Sequence, residues 1–277
     1  MRVIKYLFDF YLNSSIHVAL AVCALVGVTI LNFDIALDIE LMFFVFFAVV
    51  TGYNFVKYFG LAKFYHRRLA NWLKYIQIFS LLCFIGMCFY ASKLPFKTLL
   101  YFGGLGIVTF FYAIPFLPKS YFIDSSRNLR AISGLKAYVI ALVWSGTTVL
   151  IPLLNADYFL DFDAIISTLQ IFIFVSTIMI PFDIYDLNYD SVKLATIPQK
   201  IGVRNAKIMG LLLLLLFFVL EFLKDNLTYS RLIVISIVSL ISIIALLLSR
   251  QNQSKYFSQF WVEGIPIVWL VLALAIY

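Results

Sequence analysis

Asp183, Asp186 and Asp190 stand at i, i+3 and i+7 in PFDIYDLNYD, the stretch from Pro181 to Asp190. If a helix continues past Pro181, that spacing sends all three carboxylates from one face. Stacked like charges repel. At a membrane boundary, where screening is weaker than in bulk water, they invite a bridging cation, and oxygen-only ligation suits Mg²⁺. Lys193, Lys200, Arg204 and Lys207 follow closely, around the sequence TIPQKIG. Carboxylates that hold a metal, with lysine and arginine beside them, make a site for a phosphorylated ligand whose charge metal and side chains share. The competing reading is a solvated acidic loop at a helix end, where ionisable residues cost little.

Other residue types offer less. Cys23, Cys83 and Cys88 all lie in apolar runs and read as buried small hydrophobes. His17 and His66 fall in no HExxH-like spacing, which argues against zinc catalysis. Glu263 lies about two turns into the last apolar segment, where a carboxylate either faces a cavity or basic partner or snorkels to the interface. Glu221, near the end of the seventh segment, reads as interfacial.

The elements that must position these residues are membrane helices. The chain of 277 residues is 64% hydrophobic and only 13% charged, with 29 Phe and 17 Tyr. This composition excludes a water-soluble globule and a disordered chain. A net charge of +7 is explained by loops facing an anionic leaflet, not by nucleic-acid binding. Spans of roughly 17 to 25 apolar residues fall at about Ile16–Phe33, Ile39–Val56, Tyr75–Ala91, Thr98–Leu117, Ala137–Leu154, Ala164–Phe182, Ile208–Leu223, Leu232–Ser249 and Phe257–Tyr277. The expected fold is an all-α integral membrane protein, a bundle of about nine transmembrane helices in a single polytopic domain over residues 1–277. The amino terminus begins like a secretory signal, but no A-x-A site follows, so it is kept as the first membrane helix.

Of the 21 Lys and Arg residues, only Lys93, Lys97, Lys224 and Arg231 fall in the loops opposite the N-terminus. That bias predicts the N-terminus inside and, after nine crossings, the C-terminus outside, with the working face cytoplasmic.

The segment DIYDLNYDSVKLATIPQKIG, Asp183 to Gly202, resembles the second aspartate-rich motif of the UbiA superfamily of intramembrane prenyltransferases: D-I-x-D-x-x-x-D, then T-[LI]-P and a Leu/Ile-Gly pair. Nine spans with the motif after the sixth match the layout of that family. Phe111 to Trp144, with FYAIPFLPKS before LRAISGLKAYVIALVW, resembles its fourth-loop region. The family's first motif, N-D-x-x-D-x-x-x-D after the second helix, should fall at YNFVKYFGLAKFY. There Asn54 fits, while Phe55, Tyr58 and Ala62 stand at the aspartate positions, with Lys57 and Lys63 alongside.

The resemblance implies a bundle around a lipid-open cavity in which Mg²⁺ and a prenyl diphosphate are held. The diphosphate ionises to an allylic cation that alkylates an aromatic, quinone-like or other lipophilic acceptor. Carried over, Asp183, Asp186 and Asp190 become the metal cluster. Lys119, Arg130 and Lys136 become diphosphate contacts, joined by Lys193 and by Lys57 at the altered first motif. Asn54, Tyr112, Tyr185, Tyr189 and Glu263 become residues of the substrate cavity, with Trp144 as a further aromatic wall. Partners are then a prenyl diphosphate, a lipophilic acceptor and the bilayer, with no nucleic acid; the expected location is the plasma (inner) membrane of a bacterium. Two alternatives stand: a non-catalytic member of the same architecture that binds an isoprenoid or a protein partner, and a small-solute transporter.

Overall fold

The computed structural model describes residues 2–62, 71–113, 135–188 and 196–277, and among them every regular element is helical. A short helix α1 (Arg2–Asn13) leads into α2 (Ile16–Phe33), α3 (Ile39–Ala62), α4 (Asn71–Ala91) and α5 (Phe96–Ala113). Next, α6 (Leu135–Ser145) passes through a π-helical turn at Gly146–Leu150 into α7 (Ile151–Asn155). Then come α8 (Phe162–Asp186), α9 (Ile197–Val219) with a closing 3₁₀ turn at Leu220–Leu223, and α10 (Tyr229–Leu248). The chain closes with a second π-helical turn, Phe257–Val262, and α11 (Ile265–Ile276).

Among the described residues, eight segments are long and apolar enough to cross a membrane: Ile16–Phe33, Ile39–Tyr58, Trp72–Ala91, Leu135–Asn155, Phe162–Asp186, Ile197–Leu223, Tyr229–Leu248 and Phe257–Ile276. Each overlaps a span expected from the sequence, although Ile197–Leu223 begins well before the expected Ile208 and takes Lys200, Arg204 and Lys207 from the expected loop into α9. The remaining expected span, Thr98–Leu117, corresponds to a shorter apolar helix, Phe96–Tyr112, and its last residues lie outside the described ones. The protein is an all-helical integral membrane protein.

The burial pattern explains which helices sit inside. Most of α2, α6–α7 and α8 is buried, whereas α4 is largely exposed and presents Ile78, Leu81, Leu82, Phe84, Ile85 and Phe89 outward. Side chains of that kind suit lipid, where no hydrophobic penalty attaches to exposure. Cys88 also faces outward on α4, contrary to its expected burial, because it shares the face of Phe84 and Ile85. The core centres on α8. Phe174 of that helix packs against Phe217 of α9 and Trp269 of α11, with ring centroids 5.3–5.6 Å apart, and all three rings are buried.

Two helix termini matter for the site. Asp161 caps α8 by accepting from the Ala164 backbone N–H at 2.9 Å, and the helix then runs unbroken through Pro181 to Asp186. Because it extends beyond Phe182, Asp183 and Asp186 belong to its final turn and not to the following loop. At the start of α9, the Gln199 side chain accepts from the Thr196 N–H at 2.9 Å, and Pro198 occupies the first turn, where a missing N–H costs nothing. Gly202 then adopts φ 80° and kinks the helix, a conformation that explains why the Ile-Gly pair ends in glycine.

Candidate functional site

One end of the bundle gathers the last turn of α8, the first turn of α6, the C-terminal halves of α3 and α5, and the π-helical turn before α11. Asp183 and Asp186 lie one helical turn apart on α8, and both reach Lys136 at the start of α6. The Lys136 Nζ is 3.3 Å from Asp183 Oδ1 and 3.1 Å from Asp186 Oδ2. Asp183 is 3% exposed and Asp186 is half-buried. The i, i+3 spacing thus does what it predicts for this pair: two carboxylates converge on one cationic position. Asp190, Tyr189, Lys119, Arg130 and Lys193 lie outside the described residues. Among the described residues no group of three acidic, His or Cys side chains is placed to hold a metal ion.

From Lys136 the polar wall continues inward. Its charge interacts with Tyr112, which is buried at the end of α5. Tyr112 lies near Tyr53 on α3, whose hydroxyl accepts a 2.7 Å hydrogen bond from Trp144 Nε1 on α6. Tyr53 and Lys57, at i and i+4 on one face of α3, both interact electrostatically with Glu263. Lys57 is exposed, and Tyr53 and Glu263 are partly accessible, although protein surrounds all three. These side chains therefore face the interior of the bundle and not its outer surface. Tyr185, on α8 between the two aspartates, is half-buried.

The altered first motif has a defined job. Asn54 is 3% exposed, and its amide is fully engaged: Nδ2 donates to Ser14 O at 3.0 Å and to Ser80 Oγ at 2.8 Å, while Oδ1 accepts from Ser15 Oγ at 2.9 Å. Tyr58 donates its hydroxyl proton to Asn13 O at 2.8 Å, and Lys57 Nζ donates to Ser15 Oγ at 3.0 Å. Asn54 and Tyr58 thereby fasten α3 to the turn between α1 and α2, where Ser15 takes a positive φ of 64°. Phe55 and Ala62 bring no side-chain oxygen to this position. The donor set here does not fit a divalent cation. The hard carboxylate oxygens of Asp183 and Asp186 do fit one Mg²⁺, which commonly takes one or two protein carboxylates together with water and phosphate oxygens.

Tyr53, and the serines that hold Asn54, were not singled out by sequence. Tyr53 carried a signal, since it stands one turn before Lys57 on the same face. The serines did not, because their role depends on helices that meet only in the fold.

A second polar cluster lies at the opposite end, around a cavity of about 280 Å³ lined in part by Asp163, Lys224 and Arg231. Its charges are committed to holding the connection between α9 and α10. Asp163 accepts from the backbone N–H groups of Asp225 and Asn226, and Arg231 donates to the carbonyls of Asn32 and Asn226. Lys224 pairs with Glu221 at 2.9 Å. Glu221 is 2% exposed and also accepts from Gln170 Nε2 at 3.0 Å, so it is a buried group and not the interfacial one expected.

This all-helical membrane bundle shares its fold with solved structures of UbiA homologues. That from Aeropyrum pernix K1, in its apo state, gives a TM-score of 0.66 over 94% of this chain and 98% of that chain, at 13% identity. A homologue from Archaeoglobus fulgidus, bound to GPP and Mg²⁺, gives 0.61 over 97% and 99%, also at 13% identity. A digeranylgeranylglyceryl phosphate synthase gives 0.58 over 98% and 99%, at 16% identity. At such identities the likeness is one of fold. No protein-family profile matches the chain, and no curated protein sequence does.

Proposed function

We propose that this chain is an intramembrane prenyltransferase that takes a prenyl diphosphate and a lipophilic acceptor from the bilayer. The observation that carries the reading is the convergence of Asp183 and Asp186 on the Lys136 ammonium at one end of the bundle. It gains support from the fold, shared with a homologue that binds GPP and Mg²⁺. Asp183 and Asp186, with Asp190 next on the same sequence face, would hold the metal. When bound, Mg²⁺ draws charge from the diphosphate oxygens. Lys136 contacts the diphosphate once those carboxylates are neutralised, and Lys57 supplies a second positive charge across the cavity where a second carboxylate cluster is missing. Lys119, Arg130 and Lys193 are further contacts in this reading, and Tyr112, Tyr185 and Tyr189 shield the allylic cation through their π faces.

A lysine attracts a diphosphate directly but does not bridge two oxygens as a metal does. Leaving-group stabilisation is therefore weaker than with two carboxylate clusters, and transfer is slow relative to binding. The same substitutions, Phe55, Tyr58 and Ala62, favour a second reading in which the chain binds an isoprenoid diphosphate without turnover. The bias of Lys and Arg toward one set of loops supports a cytoplasmic location for this end, in the plasma membrane of a bacterium.

Purified protein incubated with geranyl or farnesyl diphosphate, with and without Mg²⁺, distinguishes the readings. Binding with release of inorganic diphosphate supports the transferase, binding alone supports the non-catalytic form, and no binding contradicts both.

A further inference from the structure

Glu263 stands at a break in a membrane-spanning segment. The π-helical turn Phe257–Val262 ends on it, and α11 starts afresh at Ile265 with Pro266 in its first turn. Such turns commonly occur where a helix is reshaped for function. Here the turn closes through the N–H groups of Glu263 and Gly264, which donate to the carbonyls of Ser258 and Phe260 at 3.1 and 3.0 Å. Gly264 permits it, because a Cβ there would lie 2.7 Å from Phe260 O. The break in the helix therefore falls at this residue.

The Glu263 side chain has no hydrogen-bond or ion-pair partner among the described residues, although the residue is partly accessible. Charged and titratable groups facing it come from two other elements: Lys57 and Tyr53 of α3, and Tyr11 of α1. Beside it, His17 of α2 is committed elsewhere. Its Nε2 bonds Phe260 O at 2.9 Å and its Nδ1 bonds the Tyr11 hydroxyl at 2.7 Å. A carboxylate left without a donor inside a membrane protein is costly unless a ligand supplies one.

We propose that Glu263 is the proton acceptor for the second substrate, and that this substrate presents an uncharged hydroxyl to the cavity. The inference rests on the transferase reading above. In the step, the C1–O bond of the allylic diphosphate breaks and the bonding pair leaves with the diphosphate. The hydroxyl oxygen of the acceptor bonds to C1, or the ring carbon it activates does so and then loses its own hydrogen to water as a proton while the oxygen regains one, which restores the phenol. The hydroxyl proton passes to a Glu263 carboxylate oxygen and then to water as product leaves. Lys57, held by its hydrogen bond to Ser15 Oγ, faces Glu263 from α3. An acceptor that carries its own carboxylate meets repulsion from Glu263.

The test uses the full-length protein in detergent with geranyl diphosphate as donor and two acceptor probes of similar size, hydroquinone and 4-hydroxybenzoate. Wild type is expected to prenylate hydroquinone faster than 4-hydroxybenzoate. Glu263→Gln, which keeps the shape, is expected to bind geranyl diphosphate within about threefold of wild type and to transfer about 100-fold more slowly, the usual scale for a lost general base. Glu263→Asp should recover part of that loss. Transfer at the wild-type rate by Glu263→Gln overturns the proposal, as does wild-type protein that binds geranyl diphosphate but prenylates neither probe. Faster transfer to 4-hydroxybenzoate overturns the uncharged-acceptor half. Failure of wild type to bind geranyl diphosphate at all overturns the transferase reading itself, a result separable from the others by the binding measurement.

Discussion

Lys136 Nζ sits 3.3 Å from the Oδ1 of Asp183, a carboxylate that is only 3% exposed. Removing one member of a buried ion pair leaves the other desolvated and unpaired, which typically costs about 3–5 kcal/mol. Lys136 is partly accessible and Asp186 shares it, so the lower end applies. Lys136→Ala should lower thermal stability in detergent, and Asp183→Asn in the same chain should restore most of the loss. A double variant as unstable as the sum of the two singles would mean that the pair does not interact.

In the proposed reading, Lys57 is the cation that stands in for the missing first cluster. Lys57→Ala should weaken geranyl diphosphate binding about tenfold, the scale of one charge-assisted contact. Phe55→Asp combined with Tyr58→Asp should make binding more dependent on Mg²⁺. Normal affinity in Lys57→Ala would place the diphosphate elsewhere.

The amino-terminal helix gives a pH-dependent attachment. Asp9 accepts from Lys255 Nζ at 2.7 Å and from the Tyr256 hydroxyl at 2.9 Å, while Phe8 packs on Tyr256 and Phe260. The Lys255 hydrogen bond, opposed by partial burial and aided by Tyr256, holds the Asp9 carboxyl below its ordinary 3.8. A depressed folded-state pKa contributes stability that is present above the ordinary value and lost as pH falls through the folded one. Lys255 is raised above its ordinary 10.5, chiefly by the same bond, so its contribution is present below that value and fades as pH rises past it. Thermal-shift curves of wild type and Asp9→Asn should differ between about pH 5 and 9 and converge as the medium becomes strongly acidic. Curves separated by a constant amount down to pH 2 would rule out this linkage.

Glu221 and Lys224 hold the far end together. Glu221→Gln should destabilise the protein by roughly 3 kcal/mol, because Lys224 keeps its charge in a buried place, and Glu221→Gln with Lys224→Met should be milder. Geranyl diphosphate affinity should stay within about twofold, since both residues lie away from the site. A large loss of affinity would tie the two ends of the bundle together.

The membrane segments were legible in the sequence because each is a long apolar run, and an apolar run has one structural solution in lipid. The turn-spaced Asp183 and Asp186 were legible for a similar reason, since helix periodicity is local. Their partner Lys136 was named as a diphosphate contact, but its ion pair joins elements far apart in the chain, and spacing carries no record of that. Asn54 shows the limit in another form. It matches a motif position by type, yet its amide is used to join helices. The π-helical turns at Gly146 and Phe257 left no sequence signal, because each depends on packing against neighbouring helices. Glu221 was misread for the same reason: proximity to a span end implies water only when no other helix covers it.

Isothermal titration of geranyl diphosphate into wild type and Asp186→Asn tests whether the Asp183 and Asp186 face receives Mg²⁺ together with a diphosphate. In wild type, affinity should rise about tenfold or more on adding Mg²⁺, as expected when a hard cation bridges carboxylate and phosphate. In Asp186→Asn that gain should fall to about twofold or less, while metal-free binding holds or improves because one repelling charge is gone. An Asp186→Asn protein whose affinity still rises with Mg²⁺ as wild type does would contradict the account and leave the acidic face a solvated helix end.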